Sequence, residues 1–184
     1  MKKIRLLLNL TIILAVAIVA NIAFSFNNPS YANDIQNSFE NQVMVASVWD
    51  ESSLDYIGAK EVTVYRSPSC SCCGEWISHI EKHGFEVREI KTDDMETIKR
   101  QNNLPSELAS CHTAIIDGYV MEGHIPADDI KRFLNQKSTM KGLAVPNMPI
   151  GSPGMESNNI KQPFAVLSFN DQGDIAVFNE YENY

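Results

Sequence analysis

Three cysteines, Cys70, Cys72 and Cys73, lie within four residues, and a fourth, Cys111, is followed at once by His112. Thiols clustered this tightly suit two chemistries, capture of a soft metal ion or thiol-disulfide exchange. The alternative is structural stapling, which four cysteines in an exported chain would also fit. Loop entropy counts against it: a four-residue Cys70–Cys73 loop is worth about 2 kcal/mol and a 40-residue Cys72–Cys111 loop about 4 kcal/mol, so only a bond to Cys111 would brace the fold. Other candidate ligands are His124, after Glu122-Gly123 in a turn, the His79/His83 pair, and Met148 and Met155. The histidine pair is four residues apart on one helical face, but Glu81 and Lys82 beside it suggest a solvated stretch. Methionine in a loop is more often packing filler than a thioether ligand, which leaves Met148 and Met155 secondary.

The cysteines need elements to hold them. Val62-Thr63-Val64-Tyr65 is β-branched and aromatic and ends in Arg66-Ser67-Pro68-Ser69, a strand and turn immediately before Cys70. Trp76, Ile77 and Ile80 then recur at helical spacing, Gly84 stops the helix, and 85–90 alternates as a second strand. Thiols at such a helix start meet orphan N–H groups and the positive end of the dipole, which favour thiolate. Asp93-Asp94 caps a short helix to about Asn102. Thr113–Ile116 and Tyr119–Glu122 form a hairpin around Asp117-Gly118, and Pro126 opens a helix with a stripe of Ile130, Phe133 and Leu134. The order is βαβαββα. If Cys111 and His112 are extended, their side chains point to opposite faces, so Cys111 is expected as the ligand and His112 as its support.

Gly142–Gly154, GLAVPNMPIGSPG, holds three glycines and three prolines and is expected to be a loop without ladder bonds. Two further strands, 164–169 and 175–178, flank Asn170–Gly173 as a C-terminal hairpin.

The chain has 184 residues, a formal charge of −8 and 44% hydrophobic residues, a globular composition with too little positive charge to favour nucleic acid. Lys2, Lys3 and Arg5 precede an uncharged apolar run from Leu6 to Phe24, and Ser30-Tyr31-Ala32 is a processing pattern. Residues 1–32 are read as a signal peptide, the alternative being an uncleaved membrane anchor. Cleavage after Ala32 would leave 152 residues and, with three basic residues gone, a charge of −11. Residues 33–60 read as a tether or edge segment and 61–184 as the domain. The expected location is exported, periplasmic or extracellular, with the membrane touched only through an uncleaved leader.

The segments SPSCSCCGEWISHIEKHGFEV, CHTAIIDGYVMEGHIPADDIKRFL and GLAVPNMPIGSPGME resemble domain-of-unknown-function family 411, exported bacterial metal-binding proteins linked to copper handling. The resemblance runs from about Glu61 to Phe178 and puts Cys70, Cys72, Cys73, His79, Cys111, His112 and His124 on family positions. Asn147 departs from it, standing where the family is expected to have glycine. The element order also resembles a thioredoxin-like core, with Cys70–Cys73 where that fold carries its CxxC and Cys111-His112 where it carries a cis-proline. An α/β, thioredoxin-like metal-binding domain is the expectation, its metal site drawn from Cys70, Cys72, Cys73, Cys111, His112 and His124. Cu(I) is the first choice of ion and Zn²⁺ the second, with a donor or acceptor protein as partner. The competing reading is an enzyme, a thiol-disulfide oxidoreductase using Cys70 and Cys73.

Overall fold

In the computed structural model, residues 47–51, 54–158 and 160–184 are described. The leader expected at 1–32, and the 33–46 part of the expected tether, lie outside them. No described helix is long and apolar enough to cross a membrane.

Among the described residues the fold is α/β, a seven-stranded mixed sheet with three helices. In chain order the elements are β1 (Glu61–Arg66), α1 (Ser71–Lys82), β2 (Glu86–Lys91), α2 (Met95–Gln101), a 3₁₀ turn (Ser106–Leu108), β3 (His112–Ile116), β4 (Tyr119–Glu122), α3 (Ala127–Asn135), β5 (Gly142–Ala144), β6 (Phe164–Phe169) and β7 (Ile175–Tyr181). Apart from the 3₁₀ turn, the elements as far as α3 keep the βαβαββα order that periodicity predicts. Strand order is β2-β1-β3-β4-β5-β6-β7, with β1 parallel to β2, β4 parallel to β5 and the other pairs antiparallel.

Alternation along the strands sorts the core into two faces. Val62, Val64, Ala114, Ile116, Met121 and Leu143 meet Trp76, Ile77 and Ile80 of α1 and Ile130, Phe133 and Leu134 of α3. On the other side Val120, Ala144 and Phe169 pack with Leu108 of the 3₁₀ turn. Both faces are needed to seat the sheet.

One expectation is corrected. Gly142–Ala144, read as the start of a ladder-free loop, is a buried strand bonded to β4 on one side and β6 on the other. Gly142 makes the insertion possible, since a Cβ there would overlap the Val120 carbonyl. The three residues Gly-Leu-Ala thus join the C-terminal hairpin to the core sheet, and proline restraint governs only the segment beyond Ala144.

Trp49 does not hang free. It is buried against Phe164, Tyr181 and Tyr184, and its Nε1 donates to the Gly151 carbonyl at 2.8 Å. The expected solvated histidine pair is also corrected: His79 and His83 are buried, rings 4.4 Å apart. The His79 Nε2 accepts from the Ala127 N–H at 3.0 Å, which ties α1 to the start of α3.

That pairing has a pH signature. Burial first, and His83 second, push His79 down to about 3. Between that value and the unfolded value near 6.5, the unfolded chain binds the extra proton, so stability is complete above about 6.5 and falls as pH drops toward 3. Thermal melts at pH 7, 5 and 4 should show a falling midpoint. His79→Gln keeps an acceptor for Ala127 but cannot titrate, and should show a shallower fall; an unchanged slope would exclude His79 as its source.

Candidate metal centre

The β1–α1 turn places Cys70 at the N-cap of α1 and Cys72 and Cys73 in its first turn. Arg66, paired with Glu89, donates through Nη1 to the carbonyls of Cys70 (2.9 Å) and Ser67 (3.2 Å), fixing the turn from beneath. Cys70 and Cys73 form a disulfide, while Cys72 and Cys111 are free, half-buried thiols. Cys72 Sγ lies 3.5 Å from Cys70 Sγ. All four sulfurs fall within 4.8 Å of one another.

Cys111 also belongs to a second group. Its Sγ is 3.3 Å from His112 Nδ1 and 3.1 Å from His124 Nε2, and these three ligand atoms again lie within 4.8 Å. Of Cys111 and His112, Cys111 alone stands in the four-sulfur group, and His112 meets it only in the second. Residue 111 sits in a bend ahead of β3, so strand alternation begins only at His112. The six residues expected as ligands converge on one place, with Cys111 common to both groups.

The histidines are set up differently. His124 Nδ1 is 2.8 Å from the Pro153 carbonyl, which can only accept; Nδ1 therefore carries the proton and Nε2 turns its lone pair toward Cys111. Among the described residues, His112 Nε2 is the one buried side-chain N or O atom without a hydrogen-bond partner. The His112 ring is packed between Trp76, 4.3 Å away, and His124, 5.1 Å away. Burial lowers both imidazoles, helped at His112 by the neighbouring His124, and so keeps them in the neutral form that ligates metals. Burial, with Cys72 beside it, pushes the Cys111 thiol up to about 12.

The Pro/Gly segment closes one side. Gly154 has φ +79°, and a Cβ there would lie 2.6 Å from Trp76 N and 3.1 Å from the Cys72 carbonyl, both backbone atoms of α1. Gly154→Ala should cost about 1–3 kcal/mol in a urea melt, because the new methyl meets backbone in a left-handed conformation. It should also lift Pro153 from His124, visible as a change in the His124 imidazole ¹⁵N shifts. Asn147, the departure from the expected glycine, has φ +63°, a region asparagine tolerates better than most residues. Met148 is exposed, lining a surface groove with Pro146, Pro149 and Leu167, and Met155 is half-buried.

Residue patterns alone do not reveal the buried polar support. Glu122, fully buried, pairs with Lys99 and accepts from the Ser110 N–H at 2.6 Å and the Thr113 hydroxyl at 2.7 Å. Burial raises its carboxyl, against the opposing pull of Lys99. The available signal is an acid closing the otherwise apolar strand Tyr-Val-Met-Glu.

The sequence profile of a protein family of unknown function, DUF411, matches residues 108–155. Two solved structures, titled Copper resistance protein copG, Form 1 and Form 2, are each 38% identical to this chain, with a TM-score of 0.65. Each match covers 68% of this chain and 100% of the solved one. No curated protein matches. The profile spans Cys111, His112, His124 and the Gly154 contact, and the structural likeness takes in the whole of each relative; the chain belongs to the DUF411 family.

Proposed function

We propose that this protein binds copper, as Cu(I), through the cysteine-rich centre at the start of α1, and sequesters the ion or passes it to another protein outside the cytoplasm. The carrying observation is Cys111, whose sulfur stands in one group with three other sulfurs and in another with two imidazoles. Thiolates favour Cu(I) over hard ions, and a buried imidazole nitrogen without a partner is the kind of donor that a metal would satisfy. The titles of the two structural relatives support copper as the ion. Reduction of the Cys70–Cys73 disulfide would free two further thiols for the site. Zn²⁺ is the competing ion, since mixed sulfur and nitrogen sets also suit it.

Titrating the reduced protein with Cu(I) against a competing chelator tests this reading, with Zn²⁺ in a parallel series. Tight binding is expected, weakened in Cys70→Ser plus Cys73→Ser. Affinity unchanged in that double variant would remove the thiol pair from the site.

The disulfide itself favours a second reading, a thiol-disulfide oxidoreductase with Cys70 as nucleophile and Cys73 as resolving thiol at the helix N-terminus. It predicts turnover. An insulin-reduction rate no greater than that of free dithiol would exclude it.

A further inference from the structure

A strand that enters a sheet in extended form sends consecutive side chains to opposite faces, yet Cys111 and His112 reach the same centre. The bend that allows this leaves backbone groups beyond the end of the ladder. β3 pairs with β1 no further than Arg66 opposite His112, and with β4 no further than Glu122 opposite Thr113, so Ser110 lies beyond both ladders, bridged on its other side to Asn147. One oxygen of Glu122 accepts the Ser110 N–H at 2.6 Å, and the other accepts the Thr113 hydroxyl at 2.7 Å. The two anchors stand on either side of residues 111 and 112. A third tie, Gly123 N–H to the His112 carbonyl at 3.0 Å, comes from the residue after Glu122. Lys99 of α2 completes the carboxylate and also donates to Thr113 Oγ1 at 3.3 Å.

We propose that Glu122, held by Lys99, is the positioning residue that bends the chain at Cys111-His112 and thereby brings a thiol and an imidazole into one metal-ligand set. Stability is a poor reason for an ion pair whose carboxylate is fully buried, because an apolar pair of similar volume is often as stable or more so. What an apolar pair lacks is two acceptors on one rigid group, spaced to hold residues 110 and 113 together. The affinity arm of the test rests on the copper reading; the structural arm does not.

The unsubstituted chain is the reference, and Lys99→Met accompanies each Glu122 substitution, since it removes the ammonium that would otherwise be stranded. Adding Glu122→Gln retains an oxygen for the Ser110 N–H and an amide beside Thr113, whereas adding Glu122→Leu removes both anchors. In the reduced protein, the Gln variant should hold Cu(I) close to the reference and the Leu variant about 10–100-fold more weakly, the range for losing a supporting partner of a ligand. In a Cys111→Ser background the gap between the two should shrink to the part that runs through His112. Without metal, the Cys111 ¹³Cβ and His112 imidazole ¹⁵N resonances should move in the Leu variant and stay in the Gln variant. Should Glu122→Leu fail to fold, Thr113→Val removes one anchor and should move the same resonances in the same direction. Equal affinity and equal resonances in the Gln and Leu variants would overturn the proposal, as would a Leu deficit that persists undiminished in Cys111→Ser. If the unsubstituted chain binds no Cu(I), the copper reading falls and the resonances still decide the clamp.

Discussion

Replacing Cys111 by serine should weaken Cu(I) binding more than any other single substitution in the centre. Cys111 is the one residue common to the four-sulfur group and to the sulfur-imidazole group, so its loss breaks both, whereas Cys72→Ser or His124→Ala breaks one. Serine offers a hard oxygen in place of a soft sulfur, at nearly the same size. The affinity loss should exceed the ~10–100-fold expected for a supporting residue, measured by chelator competition on the reduced protein. Folding should change little, as the side chain is half-buried and leaves no large void. A Cys111→Ser protein that binds no more weakly than Cys72→Ser would show that the two groups do not act as one site.

The largest effect on stability is expected at Trp76. Its side chain is fully buried between the sheet and the site, its ring lies 4.3 Å from His112, and its Nε1 donates to the Ile125 carbonyl at 2.9 Å. Trp76→Ala should cost about 3–5 kcal/mol, the lost transfer energy plus the cavity left behind. Trp76→Phe separates the two contributions: most of the apolar contact stays, while the Ile125 carbonyl loses its partner at a cost of about 1–3 kcal/mol. Urea melts of both variants give the comparison. A Phe variant as unstable as the Ala variant would mean that the hydrogen bond, not the packing, dominates.

The helices and hairpins were legible because their signals are local. Trp76, Ile77 and Ile80 mark the buried side of α1 by spacing alone, and Asp117-Gly118 marks its turn by residue type. The candidate cluster was legible as a set of residues, since cysteine clustering at a helix start is visible without coordinates. Its shape was not. The bend at Cys111 depends on Glu122, twelve residues away from the Ser110 N–H that it holds, and no local pattern announces a hydrogen bond across a hairpin. β5 was missed for a related reason: Gly-Leu-Ala has weak strand propensity by itself and becomes a strand through two neighbours that close over it. His79 looked solvated because Glu81 and Lys82 flank it, yet a 12-residue helix turns those charges outward and the imidazole inward.

The indole of Trp49 has a consequence for where the working unit starts. Its bond to the Gly151 carbonyl reaches the same loop whose Pro153 carbonyl orients His124, two residues further on. A shortened chain beginning at β1 would keep every strand and every cysteine and still lose the fastener on that loop. The candidate centre therefore depends on residues a dozen positions upstream of the first strand, and the boundary drawn by secondary structure is not the boundary of the site.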